Sequence, residues 1–206
     1  MAFDLTSSSV RDVALPPQAL AQLFTEARSR NGWTDRPVPD ALLRQLYDLT
    51  KFGPTAVNAT PARFVFVTSP EAKARLAPLM SGSNRDKTLA APVNVIIGHD
   101  LAFPETLPRL FPHAPGIKDV FADEATRRET AFRNGSLQAG YFLIAARALG
   151  LDVGPMSGFD VAGVKEAYFS DSQIEPNLIV NLGYGSDEGL FARSPRLTFE
   201  EAAQIL

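Results

Sequence analysis

The chain has no cysteine among its 206 residues and only two histidines, His99 and His113. Disulfides, thiolate metal sites and cysteine nucleophiles are therefore excluded, and a reducing compartment fits. Two histidines without thiolates leave too few ligands for a histidine-rich centre, so no metal is expected. A strong charge of either sign is also missing: the formal net charge is −3 and the isoelectric point about 5.4. That balance gives no electrostatic reason to expect nucleic acid or an anionic membrane as partner. The first residues, Met1, Ala2, Phe3 and Asp4, lack a basic start leading into an apolar run, so no secretory signal is expected. The longest apolar helical stretch is broken by Gln138 and Arg147 and is too short to span a bilayer. A cytoplasmic location is the expectation. No Gly-x-x-x-x-Gly-Lys-Ser/Thr phosphate loop and no Gly-x-Ser-x-Gly nucleophile elbow occurs.

What is present is organised around one stretch. Residues 136–150 form the most hydrophobic strongly helical run in the chain. Extended back to Asp123, they predict one long helix, with acidic residues at its positive end and Gly150 as its C-terminal cap. The second half is apolar nearly all round, which predicts burial on all sides. Upstream, Leu20, Leu23, Phe24 and Ala27 predict a helix over 17–29. Leu42, Leu43, Leu46 and Leu49 predict a second, opened by Pro39-Asp40 and stopped by Gly53-Pro54. Arg63 to Thr68 and Val93 to Ile97 predict strands, the latter central because it is apolar throughout. Between them Ser69-Pro70-Glu71 opens a helix that runs to a break at 81–84.

Residues 100–120 hold Pro104, Pro108, Pro112 and Pro115 and predict a loop or lid over a pocket. After the long helix come a short strand at 151–153, a tight turn at 154–159, a helix at 161–169 and a strand at 177–182. Gly183-Tyr184-Gly185 turns out of the sheet, and Thr198 with Glu200 and Glu201 opens a last short helix. Helices and strands mix without strict alternation. The class is therefore α+β, a sheet with helices packed around it, over 17–206 behind an N-terminal arm of residues 1–16.

Few residues carry obvious chemistry. The segment Gly183 to Gly189 follows a strand but has the wrong glycine spacing for a dinucleotide fingerprint and reads as a turn. His99-Asp100 is the only pair suggestive of a hydrolytic triad, and without an elbow serine it reads as structural or rim-lining. Arg28, Ser29 and Arg30 place two guanidiniums and a hydroxyl at a predicted helix end; Arg193 and Arg196 form a second cluster near the C-terminus. Each cluster alone reads as a solvated surface, but together they would suit an anionic group. Pro54, Thr55, Ala56, Val57, Asn58, Ala59, Thr60 and Pro61 make a stiff loop of small polar residues that lets a flat ligand approach its backbone. Asn84 and Lys87 share one face of a helical turn, pairing an amide with a cation.

In this order, these segments resemble the FMN-dependent nitroreductase family over nearly the whole chain. Arg28-Ser29, Trp33 to Val38, the 54–61 loop, Asn84 with Lys87, the Gly154-Pro155-Met156 turn and the Asn181 to Gly185 exit carry the likeness. Leu110 to His113, Glu129 to Asn134, Gly154 to Asp160 and Pro195 to Ala202 are similar to the branch containing the malonic semialdehyde reductase of bacterial uracil degradation. The resemblance implies a homodimer with two FMN sites at the subunit interface, with the long helix at that interface. It also implies ping-pong hydride transfer from NADH or NADPH through the flavin, with no side chain assigned as catalytic.

By the same resemblance, Arg28 and Ser29 with Arg193 and Arg196 are FMN phosphate ligands. Arg30 is an alternative, because Ala27 stands where many members carry an arginine. Asn84 meets the pyrimidine edge of the isoalloxazine and Lys87 places a cation near N1 and O2. Asn31 replaces a second cation found in others. Pro155, Met156, Ser157 and Gly158 present backbone to the ring. Pro54, Thr55, Ala56 and Asn58 reach the flavin of the partner subunit.

Three functions follow as expectations. The first is reduction of malonic semialdehyde to 3-hydroxypropionate, with Arg63 or Arg133 receiving the substrate carboxylate. The second is a broad nitro, quinone or flavin reductase. The third, of another class, is a flavin-binding protein without turnover.

Overall fold

The computed structural model describes residues 13–206. Most of the expected N-terminal arm therefore lies outside the described residues; residues 13–16 are exposed and irregular. Helix α1 (Pro17–Leu20) passes into a π-helical turn, Ala21–Thr25. The helix expected to reach residue 29 stops there for a tertiary reason. Ser29 forms a parallel bridge with Val153, and the Arg30 amide donates to the Val153 carbonyl at 3.1 Å. Strand pairing has overridden local helical propensity.

The chain continues through β1 (Gly32–Trp33), α2 (Asp40–Thr50), β2 (Ala62–Val67), α3 (Pro70–Leu76), α4 (Asn84–Ala90) and β3 (Val93–Asp100). Then come α5 (Leu107–Leu110), α6 (Glu124–Ala148), β4 (Asp152–Met156), α7 (Val161–Phe169), β5 (Ile174–Gly183), β6 (Gly185–Ser186) and α8 (Phe199–Ala202). The main sheet has the order β2-β3-β5-β4, with every neighbouring pair antiparallel; β1 and β6 form a separate ribbon.

Alternation along β3 explains the layers. Val93, Val95 and Ile97 point toward α2 and α6, where they join Leu43, Leu46 and Phe142. Ile96 points the other way, into a second core with Leu76, Val164 and Ile179 from α3, α7 and β5. Both faces of the central strand are covered, as its apolar character, interrupted over 93–97 only by the buried Asn94, requires.

Three further sequence expectations need correction. The turn placed at 154–159 begins later, because Gly154, Pro155 and Met156 continue β4. Pro155 is tolerated there because β4 ends the order of the main sheet, where a missing donor is least costly. The expected loop at 100–120 instead contains short helical turns, Phe103–Thr106 and Ile117–Phe121, around α5. Pro104 and Pro108 sit in first turns, where an absent N–H leaves no bond unmade. Leu101, Phe103, Leu107, Phe121 and Ala131 give this region its own core, so it is packed rather than a loose lid.

The third correction concerns α6. Its start is capped by Asp123, which accepts from the Thr126 amide at 2.8 Å. It ends at Gly150 with φ +76° and a bond from the Leu151 amide back to Ala146. Its apolar half, however, is buried on one side only. Ala139, Phe142 and Ala146 are fully buried within the chain, whereas Phe132 is 54% and Leu137 45% exposed. A groove of about 910 Å³ runs over this outer face past Ser136, Gly140 and Ile144.

His99 sits beneath the same helix. It is buried, its Nε2 lies 3.4 Å from Glu175 Oε2, and a Cβ on Gly135 would come within 2.8 Å of its own Cβ. Burial pushes the imidazole pKa below its ordinary value; Glu175 opposes that and Arg128 reinforces it. A base whose folded pKa is depressed contributes stability above the unfolded pKa, near 6.5, that is lost as pH falls below it. The melting temperature is expected to drop more between about pH 7 and about pH 5 in the wild type than in His99→Asn. Equal pH slopes in thermal melts would remove His99 as the cause.

Candidate functional site

The two arginine clusters, distant in sequence, meet in space. Residues 27–29 run beside β4, and the irregular segment after β6 returns to cover them. Arg28 donates to the Phe191 carbonyl, and Arg193 donates to the Ala27 carbonyl at 3.1 Å. Asn31 ties the same segments together through the Gly189 carbonyl at 3.2 Å. Between them lies a cavity of about 320 Å³ lined by Arg28, Ser29, Arg193, Arg196 and, from α6, Arg147. No carboxylate is among the lining residues. Four guanidiniums converging without a counter-charge make a strongly anion-favouring site.

Arg147 was not a candidate from sequence. Its one signal was being the sole cation in the apolar half of the helix. Its guanidinium donates to the Leu23 carbonyl at 2.9 Å, while its Nε is buried without a partner among the described residues. Burial depresses its pKa, Asp152 opposes that, and Arg193 adds to it. An anion in the cavity would relieve the effects of both burial and the neighbouring cation.

Arg30 is not part of this cavity. Its guanidinium turns to Asp187 at 2.5 Å and Asp152 at 3.5 Å, and donates to the Ser186 carbonyl at 3.1 Å. Burial works against its charge, but Asp187 and Asp152 outweigh it and raise its pKa. Arg30 ties the β1–β6 ribbon to β4, and the expectation of a phosphate ligand there is not met.

Along β4, the second group of expected residues lies beyond the cavity. Three residue steps separate Val153, beside Ser29, from Met156, a span of about 10 Å in an extended strand. The Gly158 carbonyl accepts from the Asn84 amide at 3.1 Å and from the Ser81 backbone at 3.0 Å. A Cβ on Gly158 would lie 2.9 Å from Asn84 Nδ2, so a larger residue there would push the Asn84 amide from this position. Met156 buries its side chain among Phe159 and Ile179, whereas Pro155 and Ser157 are exposed. Lys87 is half-buried and makes no ion pair among the described residues.

Two buried asparagines fix α4 in this place. Asn94 and Asn181 face each other across β3 and β5, joined at 2.7 Å, and donate to the Thr88 and Lys87 carbonyls at 3.0 Å each. Asn181 belonged to the family exit named from the sequence, whereas the signal of Asn94 was a lone amide in an otherwise apolar strand run.

The 54–61 loop is elsewhere. Pro54 and Asn58 line a different cavity, of about 770 Å³, which shares no residue with the arginine cavity. Thr55 accepts from the Thr60 amide at 3.1 Å, and Asn58 donates to the Leu110 carbonyl at 2.9 Å. Val57, Asn58 and Thr60 have φ of 47°, 52° and 39°. For residues other than glycine this left-handed backbone costs about 1–3 kcal/mol each and persists only where the surroundings enforce it.

The cations expected to receive a substrate carboxylate are occupied. Arg63 pairs with Asp100 at 2.7 Å and donates to the Thr60 and Ala62 carbonyls; Arg133 is exposed and paired with Glu129. Among the described residues there is no group of three or more potential metal ligands and no helix long and apolar enough to cross a membrane.

A family model described as the nitroreductase family matches residues 25–184. The chain belongs to the nitroreductase family. A relative from Caulobacter sp. strain K31, provisionally named an NADH dehydrogenase/NAD(P)H nitroreductase, is 65% identical over 192 residues, 93% of this chain and 98% of its own. A Stenotrophomonas maltophilia protein with the same provisional name is 61% identical over the same shares. A provisional nitroreductase from Exiguobacterium sibiricum, crystallised in complex with FMN, superposes with a TM-score of 0.82 at 20% identity, covering 94% of this chain and 99% of that one. This is the α+β nitroreductase fold.

Proposed function

We propose that residues 17–206 act as one FMN-binding unit of a homodimeric oxidoreductase, which passes hydride from NADH or NADPH to a nitro or quinone acceptor. The observation that carries the reading is the arginine cavity without a carboxylate, one strand-length from the Asn84–Gly158 contact. An FMN phosphate suits the first, and the edge of a flavin ring suits the second. The relatives' names and the FMN complex of a protein with the same fold support the choice of cofactor and reductant.

FMN supplies a carrier that accepts a hydride from one substrate and gives it to the next. The chain's own residues bind and orient it. Arg28, Ser29, Arg193 and Arg196, with Arg147, would hold the phosphate. Asn84 offers an amide whose orientation is set by Gly158. Lys87 would supply positive charge near the ring, which favours taking up electrons. Pro155, Ser157 and Gly158 present backbone on the same side. Pro54, Thr55, Ala56 and Asn58 would complete the site from a second copy, whose seat is the exposed face of α6.

The test is anaerobic addition of NADH or NADPH to FMN-loaded protein. Bleaching of the yellow colour, followed by reoxidation with a nitroarene or quinone, is expected; flavin that stays yellow would indicate a carrier without turnover. A second reading, reduction of malonic semialdehyde to 3-hydroxypropionate, rests on the branch motifs at 110–113, 129–134, 154–160 and 195–202. Arg63 and Arg133 already hold partners, so that substrate finds no free anchor at either. Faster turnover of the aldehyde than of nitroarenes would reverse the order of the two readings.

A further inference from the structure

We propose that Asn134, Gln138 and Tyr141 of α6 are positioning residues that hold the 54–62 loop in its strained shape, and thereby set the flavin-facing residues of the site. The proposal rests on the FMN reading for the loop's role, but the clamp itself stands on geometry. The three side chains lie at i, i+4 and i+7, one stripe of the helix. Each binds loop backbone: Asn134 Oδ1 accepts from the Ala56 amide at 2.8 Å, Gln138 Oε1 accepts from the Ala62 amide at 2.8 Å, and Tyr141 Oη donates to the Pro54 carbonyl at 2.9 Å.

Asn134 and Gln138 are 2% and 4% exposed, on a helix face that otherwise packs Ala131, Ala139 and Phe142. Buried amides are costly there unless paired, so their presence needs these particular partners. Asn134 Nδ2 donates to the Thr130 carbonyl at 2.9 Å, which leaves its oxygen turned to Ala56. At the loop's start, a Cβ on Gly53 would fall 2.0 Å from the Tyr141 ring, so the backbone lies directly on that ring.

Between these anchors sit the three left-handed residues, including β-branched Val57 and Thr60. A loop fixed at 54, 56 and 62 cannot relax them without breaking bonds to the helix. Ala56 and Asn58, exposed at its crest, are the residues that relaxation would move.

Asn134→Leu removes the acceptor at similar volume, whereas Asn134→Asp keeps an acceptor for the Ala56 amide. In the FMN-loaded protein, Asn134→Leu is expected to speed amide exchange over 54–60 and weaken FMN binding about tenfold, with Asn134→Asp restoring much of both. Unchanged exchange in Asn134→Leu would overturn the clamp. Faster exchange with unchanged FMN affinity would overturn its role in the site. Wild-type protein that takes up no FMN would overturn the functional reading and with it the loop's role, while exchange in the variants still decides the clamp. If Asn134→Leu fails to fold, Tyr141→Phe removes one hydroxyl alone and is expected to shift both readouts in the same direction. Its indifference in both would overturn the proposal.

Discussion

Replacing Arg28 and Arg193 together by alanine is expected to weaken FMN binding about a hundred- to ten-thousand-fold, taking each charge-assisted bond as roughly 1.5–3 kcal/mol. The cavity they line holds four guanidiniums and no carboxylate, so the double variant leaves only Arg147 and Arg196 to offset a phosphate of charge near −2. The same two side chains also tie the segments together, Arg28 to the Phe191 carbonyl and Arg193 to the Ala27 carbonyl. A loss of affinity alone would therefore not separate phosphate binding from cavity shape. Riboflavin, which lacks the phosphate, makes the separation. If the arginines hold phosphate, the double variant should bind riboflavin nearly as the wild type does, by flavin fluorescence titration. Parallel losses for the two flavins would assign the arginines to shape instead. Steeper salt dependence of FMN binding in the wild type than in the variant is a second consequence of the same charges.

Gly140→Leu is expected to convert the proposed dimer to monomers and to empty it of FMN. Within the chain this substitution should be benign. A Cβ at Gly140 meets nothing within 4 Å, and leucine is a better helix former than glycine by roughly 0.7–1 kcal/mol. Any loss must then come from a body seated on the outer face of α6. That face exposes Phe132 and Leu137 along a groove of about 910 Å³, on a helix whose opposite face is core. Sedimentation should show a monomer with an unchanged or raised melting temperature in the apo state. A variant that stays dimeric and yellow would show that the subunits, if paired, do not meet here.

The contrast between these two sites shows what a linear reading supplies. The periodicity of α2, the bounds of α7 at Val161–Phe169, the Asp123 and Gly150 ends of α6 and the capping box at Thr198 are all local, so the sequence displayed them directly. Local rules failed where a distant partner decided the backbone. Residues 26–29 left the helix because Val153 offered strand pairing, and Gly154 to Met156 stayed extended because β5 continued alongside. The small residues of α6 divide the same way: Ala139 and Ala146 face the chain's own core, Gly140 faces outward, and half-buried Ser136 borders the outer groove while its hydroxyl accepts from Asn177 of β5. Helical spacing cannot separate those faces when both are apolar.

The site follows the same logic. Arg28, Ser29, Arg193 and Arg196 were visible as two basic clusters, and Asn84, Lys87 and Gly158 as a family pattern. Arg30 looked equivalent to Arg28, and only the positions of Asp152 and Asp187 removed it from the cavity. Asn181 and Asn134 lay inside segments that carried the resemblance but with no role attached, while Arg147, Asn94 and Gln138 appeared only as polar residues in apolar company. The long helix that organises the chain was fixed by its own composition: where it begins, where it ends, and that it is apolar on two sides. Which side meets the chain's own sheet, which is left open, and which polar residues brace the strained loop were decided by the tertiary structure. Those outcomes depend on partners in other elements, the braced loop among them at 76 to 87 residues' distance, which no local pattern of side chains encodes.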